Sequence, residues 1–477
     1  MTRSSHTVEK IGGTSMSRVR ELKDTLFLGD RTGDELYGRI FVVSAFGGIT
    51  NMLLEDKKTG APGVYGHFIN ADTKHHWQEA VTRVADEMRK LNREVLDHPA
   101  DIEQADGFVS DRTVGAHNCL IDLQRLCAYG HFRLSEHMLQ IRELLSGLGE
   151  AHSAFVTTLL LRRAGISARF VDLSGWRDEG NVTLHERIAN AMEKIDPHTE
   201  MPIVTGYAQC AEGLMREFDR GYSEVTFSKL AALTNAREAI IHKEFHLSSA
   251  DPRLVGEKNV SKLGRTNYDV ADQLANMGME AIHPKAAKTL RQADVPLRVT
   301  NAFEPHDPGT LIDDRKAETP AVEIITGLDI VTLEVFEQDM VGVKGYDVAI
   351  LECLKRHNAR IVSKVSNANT ITHYLDTSLK TTRRIEKDIT KAFPAAEITT
   401  RTLAMVSVIG RDLKGLSVLQ RGLETIANAG LSTIGASQGP RKVDVQFILN
   451  RDALQPVIKA LHAEFIELAR PKLTCAA

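Results

Sequence analysis

Two short strand-like runs, each leading into a pair of glycines, limit what this chain can become more than anything else in it. Thr7 to Ile11 leads into Gly12-Gly13-Thr14-Ser15, and Arg39 to Ser44 leads into Ala45-Phe46-Gly47-Gly48. A short β-branched run followed by a tight turn is the pattern of a buried strand in a parallel sheet, which must return through a helix. Further strand candidates stand at Ala168 to Val171, Pro202 to Gly206, Ala239 to Ile241 and Pro296 to Thr300. Between them lie stretches of helical spacing, among them Trp77 to Leu96 and His117 to Leu148. Such alternation argues for an α/β domain on a largely parallel sheet.

Past the polar, proline-terminated linker Asp313 to Pro320 the pattern changes. An internal repeat emerges at an offset of 72 residues: Leu351-Glu352 falls on Leu423-Glu424, Leu354 on Ile426, and Ile361-Val362 on Thr433-Ile434. Each copy reads strand, loop, helix, strand, then an alternating strand, Thr370 to Leu375 or Val443 to Leu449. Val443, Val445, Phe447 and Leu449 keep period two, so one face of that strand belongs to a core. Two small β-α-β-β units in tandem follow from this, too few for a solenoid.

Composition excludes some partners. The net charge is −4 and no long basic run occurs, which argues against nucleic acid. Met1 to Lys10 lacks the apolar segment of a signal peptide, and no stretch approaches the length of a membrane span. Cys119, Cys127, Cys210, Cys353 and Cys475 have no CxxC spacing, which fits a reducing cytoplasm rather than a disulfide framework or metal site. His75-His76, His131 and His137 read as ordinary surface or packing residues. The partners expected are small molecules and other copies of the chain.

The run Val8 to Ser15 resembles the signature that opens aspartate kinases, with Ile11 where that family usually has Phe. Val43 to Thr50 is similar to the family's second glycine loop. Further matches follow in the same order: Gly149-Glu150, Arg220 to Glu224, Ala250 to Arg253, Ile282-His283-Pro284 and Pro308 to Ile312. The C-terminal repeat resembles the family's paired ACT modules. The resemblance implies an amino-acid-kinase-like domain over 1–315, its mostly parallel central sheet lying between helices. Two tandem ACT-like (ferredoxin-like βαββαβ) modules would follow over 320–396 and 397–477, the strand near 321–327 pairing with the second. It implies transfer of the ATP γ-phosphoryl to the side-chain carboxylate of L-aspartate, with nucleotide-borne Mg²⁺ and a homodimer or higher homo-oligomer formed through the C-terminal modules.

The chemistry accounts for the residue types. Aspartate's carboxylate is already ionised at neutral pH, so the obstacle is an anion approaching a triphosphate, and catalysis is mostly charge neutralisation and positioning. Lys10 is the candidate cation, and Gly12 and Gly13 would let backbone N–H groups approach phosphate oxygens. Gly-Gly after a strand is often only a turn; Lys before it and Thr-Ser after it favour the phosphate reading. Arg220 suits the substrate's α-carboxylate. Ser44, Thr50, Glu150 and Ser223 match family positions that hold the amino acid, and Glu224 stands where the family usually has Asp. On the nucleotide side Lys10, Gly13, Ser15, Lys243, Ser248 and Arg253 are candidates. No residue set resembles a metal cage.

Departures lie mainly on the nucleotide side. His242-Lys243 replaces a common Thr-Asp pair, and Glu280 replaces a lysine. With Ile11 and Tyr222, and the run Gly221 to Phe227, they resemble a branch of aspartate kinases that accompanies ectoine biosynthesis. Two other readings stay open: a degenerate kinase domain acting as an amino-acid sensor, and an amino-acid kinase with another acceptor. Met340, Gly345, Tyr346 and Asp347, facing the strand and loop that carry Asn367, form the expected effector loop. Val362 stands where lysine-inhibited relatives tend to carry an acid, so lysine is a poor candidate effector and threonine, or none, a better one.

Overall fold

The computed structural model describes residues 4–57, 59–70, 75–178, 180–218, 221–279, 281–315 and 318–468. The chain forms two compact units, Met1–His246 with Ile282–Asp313, and Leu247–Ala281 with Asp314–Ala477. Packing therefore does not divide the chain by one cut near 315. Leu247–Ala281 joins the C-terminal residues because Ala250 and Val255 pack into a core with Val406 and Phe447, and because backbone groups are satisfied there. Ile325 N–H donates to the Ser249 carbonyl at 2.8 Å, and Arg360 donates to the carbonyls of Ala275 and Asn276 at 2.8 and 2.5 Å.

In the first unit the strands are β1 (Thr7–Ile11), β2 (Arg39–Val43), β3 (Ala168–Val171), β4 (Met201–Thr205) and β5 (Glu238–Lys243). After β6 (Arg265–Asn267), a short strand of the second unit, come β7 (Leu297–Asn301) and β8 (Thr310–Asp313). Within the first unit the order is β3-β4-β2-β1-β5-β7-β8, parallel except for β7 with β8. Every residue of β1 and β2 is buried, as central strands covered on both faces must be.

Helices His76–Val95, Pro99–Cys127 and Leu134–Arg163 add to the unit's core, as do Tyr222–Leu233 and Pro284–Gln292. The helical stretch expected over His117 to Leu148 is broken between Cys127 and Leu134, where Tyr129, Gly130, His131 and Phe132 are all weak helix formers. Leu134–Arg163 also corrects the reading that no stretch approaches a membrane span. By length and composition it is apolar enough to cross one, but 89% of its most apolar window is buried, since it packs on β3 and β4.

The second unit holds β9 (Ala321–Phe336), β10 (Arg360–Ser366), β11 (Thr370–Asp376), β12 (Glu397–Arg411), β13 (Thr433–Gln438) and β14 (Asp444–Leu449). They form one antiparallel sheet in the order β10-β11-β9-β12-β14-β13. The two long strands serve both repeats. Val331–Phe336 of β9 lies between β11 and the first half of β12, whereas Ile324–Ile330 lies against the half of β12 that pairs with β14. Helices Tyr346–Arg356 and Val418–Asn428 stand at the 72-residue offset at both ends. Each repeat keeps a core of its own, one around Leu333, Ile350 and Ile371, the other around Val406, Ile426 and Phe447. The result is two ACT-like βαββαβ modules sharing a sheet.

Candidate active site

β1 is central, so its alternation places Lys10 and Glu9 on opposite faces. Lys10 is buried, with Nζ 3.4 Å from Glu224 Oε1. Gly12 and Gly13 then turn the chain into the short helix Gly13–Met16. A Cβ on Gly13 would lie 2.8 Å from the Ala45 carbonyl oxygen, so side chains are excluded where this loop meets the one after β2. That second loop turns at Gly48, φ +88°, and Ser17 Oγ accepts from Gly47 N–H at 3.0 Å. Ser15 is fully buried and donates to Glu244 at 2.5 Å.

Glu150 approaches from helix Leu134–Arg163. Gly149 permits it: an added Cβ would sit 3.0 Å from both Ala45 Cβ and Ile49 Cγ2. Gly206, just past β4, does the same from the other side, its missing Cβ falling 2.7 Å from Glu150 Oε2 and 2.8 Å from Ser223 Cβ. The Glu150 carboxyl is buried, and burial pushes its pKa up to about 8, against the weaker opposing pulls of the Ser223 hydroxyl, the Lys10 charge and the Tyr207 and Ala45 backbone amides. Ser223 Oγ donates to Oε1 at 2.8 Å, Ser44 Oγ lies 3.4 Å from Ser223 Oγ, and Oε2 has no hydrogen-bond partner.

Glu224, one residue on, behaves oppositely. Burial would raise its pKa, yet the charges of Lys10 and Lys243 and the His283 N–H, at 2.5 Å, hold it below the usual carboxylate value. Ser223 and Glu224 open the helix Tyr222–Leu233, capped by Gly221, where a Cβ would meet the His283 ring at 2.8 Å. Lys10, Ser44, Glu150, Ser223 and Glu224 thus converge, with Thr50 half-buried in the neighbouring helix Ile49–Leu53. Arg220 and Glu280 lie outside the described residues.

The other expected residues are elsewhere or engaged. Lys243 ends β5, with its charge acting on Glu224. Ser248 and Arg253 belong to the second unit. Ser248 donates to the Ala250 carbonyl at 2.8 Å, and the exposed Arg253 closes on its own neighbour Asp251 at 2.8 Å, a local turn. In the first ACT-like module Met340 is buried, Gly345 takes φ +109°, and Tyr346 stacks on Phe393 at 4.7 Å. Asp347 pairs with Lys364 at 2.7 Å, while Asn367 Oδ1 accepts the Thr370 amide at 2.9 Å and so closes the β10–β11 turn.

Sequence reasoning missed Gly206, whose only signal was its place at the end of a strand. It also missed a buried network on the far face of the sheet through Glu9, Arg39 and His242. A third feature not foreseen is a group of metal-capable atoms within 4.8 Å of one another, on His246, Glu304 and Asp307. His246 Nε2 is 3.0 Å from Glu304 and Nδ1 3.6 Å from Asp307.

Comparison with known proteins agrees with this architecture. The model of the amino acid kinase family matches residues 6–301. An aspartate kinase of Stutzerimonas stutzeri, Ask_Ect, is 52% identical over 464 residues, covering 97% of this chain and 98% of that one. Chloroplastic aspartokinase 3 of Arabidopsis thaliana is 24% identical over 96% of this chain and 81% of its own. Among solved structures, E. coli aspartokinase III in complex with lysine and aspartate superposes with a TM-score of 0.72 at 17% identity, covering 97% of this chain and all of that one, a likeness of fold. Family match, near-full-length identity and fold together make this chain an aspartate kinase of the amino acid kinase family.

Proposed function

We propose that the first unit transfers the γ-phosphoryl group of ATP to the side-chain carboxylate of L-aspartate, giving 4-phospho-L-aspartate. One observation carries this reading: a buried lysine, held by Glu224 at the tip of the central strand, shares a cluster with a buried carboxyl that has an unpartnered oxygen. Lys10, with Lys243, neutralises charge on the transferring group, and Gly12 and Gly13 keep the backbone amides accessible to phosphate. Glu150, Ser223, Ser44 and Thr50 hold the amino acid. Glu150 takes the ammonium, whose positive charge offsets the burial that keeps this carboxyl protonated. Glu224 anchors Lys10. Arg220 remains the candidate for the substrate's α-carboxylate.

Mg²⁺ enters with the nucleotide. Of the carboxylates beside Lys10, Glu224 is held by Lys10 and Glu150 is assigned to the substrate's ammonium, so phosphates and waters would supply the metal's oxygen ligands. The alternative of a degenerate sensor rested on His242-Lys243 and Glu280. It loses ground, because His242 lies in the far-face network and Lys243 adds a cation at Glu224.

The regulatory part of the proposal assigns effector binding and homodimer formation to the ACT-like modules 320–396 and 397–477. The effector loop is Met340 to Asp347 with Asn367, and buried Val362 offers no acid for lysine. The product enters an aspartate-derived route, that of ectoine by likeness to Ask_Ect. The four described cysteines are unpaired, which suits a reducing cytoplasm. A coupled assay of ADP release, with aspartate against glutamate as acceptor and with lysine, threonine or ectoine added, tests the proposal. Effector binding without turnover would leave the sensor standing.

A further inference from the structure

Four adjacent parallel strands are tied on one face of the first unit's sheet by an unbroken chain of side-chain hydrogen bonds. Arg39 on β2 donates through Nε and Nη2 to the two Glu9 oxygens on β1, at 2.8 and 2.9 Å. His242 on β5 reaches Glu9 Oε2 through Nε2 at 2.8 Å and Thr300 Oγ1 on β7 through Nδ1 at 2.8 Å. Thr7 Oγ1 also donates to Glu9 at 2.8 Å, and Arg39 Nη1 donates to the carbonyl of Leu26 at 3.0 Å. Glu9, Arg39 and His242 are all buried. An ionised Glu9 only accepts, so His242 carries its proton on Nε2, and Nδ1 accepts from Thr300 when the ring is neutral. The chain of donors and acceptors is then complete.

Register gives the chain its consequence. Lys10 pairs with Ile241 and Ile11 with His242, so Glu9 and His242 share one face while Lys10 and Lys243 share the other. Each lysine is one residue from a member of the network. A buried ionic cluster is an inefficient route to stability, because apolar residues of similar volume do as well.

We propose that His242 is a positioning residue for phosphoryl transfer: by bridging Glu9 and Thr300 it fixes β1 against β5, and so sets the spacing of Lys10 and Lys243 at the active site. The residue that looks like a lost nucleotide contact is on this view the device that aims two cations.

The inference rests on Lys10 and Lys243 serving the transferring phosphate. The test compares full-length His242→Leu, His242→Gln and Thr300→Val, with Lys10→Ala alongside, for kcat and for KM of aspartate and ATP. Because small displacements of catalytic groups cost up to about a hundredfold in rate, His242→Leu is expected to lower kcat about tenfold or more with aspartate KM within about twofold. His242→Gln, whose amide can donate to Glu9, is expected to recover most of that loss. Thr300→Val, which removes only the outer bond, is expected to lower kcat about threefold and keeps the test alive should the Leu variant not fold. Wild-type kcat in a folded Leu or Val variant, or equal losses for Leu and Gln, overturns the proposal. Undiminished turnover in Lys10→Ala overturns instead the assignment beneath it.

Discussion

Glu9 and Glu150 are both buried glutamates of the same unit, and their surroundings drive them in opposite directions. Burial opposes the charge of each. At Glu9 the adjoining Arg39, with the His242 bond, overcomes that penalty and holds the carboxyl well below its ordinary pKa. At Glu150 the Ser223 hydroxyl and Lys10 are too weak, and the carboxyl sits near 8 with one oxygen unpartnered. A carboxylate whose lone pairs are filled by its own protein is finished as structure. One left short of partners has room for a ligand to complete it. The two faces of the sheet thus divide the labour, with a closed ionic lattice behind and an open, undersatisfied cluster in front.

The sharpest way to break this comparison is to open the closed side. Arg39→Met leaves Glu9 buried with its main partner gone and should destabilise the fold by about 3–5 kcal/mol, seen as a lower urea midpoint at unchanged slope. A loss under about 1 kcal/mol, no more than a surface pair is worth, would mean that the lattice is not closed. On the open side Lys10→Ala should lower kcat by about 10²–10³-fold, the usual cost of deleting a group that neutralises transition-state charge, with a smaller loss of stability because Lys243 and the His283 N–H still hold Glu224. Near-normal kcat would defeat its assigned role.

Much of the fold is legible in the sequence. β1 and β3 begin and end at the residues predicted, and the 72-residue offset recurs at both ends of two helices, because strand periodicity and glycine punctuation are local signals. The neighbours in the front cluster had been singled out one by one along the chain. Their closeness depends on Gly149 and Gly206, whose missing side chains register only when two elements meet. The lattice was illegible for the same reason. Glu9, Arg39 and His242 are polar residues on strands far apart in sequence, and nothing in their own neighbourhoods says that register will align them. His242 was read as a departure on the ligand side because its face of β5 is set by pairing with β1 and β7, not by its neighbours.

Smaller effects sharpen the contrast at Glu150 itself. Glu150→Gln keeps the shape but cannot become an anion, so aspartate KM should rise about tenfold, the value of one hydrogen bond to a charged group, with kcat less affected. Equal KM would remove Glu150 from the ammonium site. The smallest signal is in pH. A carboxyl raised from 4.5 to about 8 contributes stability that is fully present below 4.5 and declines as pH rises through 8, so this group makes the free protein lose stability across that window. Aspartate's ammonium favours the ionised form, so binding below pH 8 must expel a proton, and KM should fall as pH rises, by at most tenfold per unit. Heats of binding measured in buffers of different ionisation enthalpy count that proton directly. Glu150→Gln should abolish its release while leaving the acid-side stability held by Glu9 untouched, because that group's folded pKa is depressed and its contribution disappears only as pH falls through it. Proton release that persists in the Gln variant would place the titrating group elsewhere and dissolve the contrast between the two glutamates.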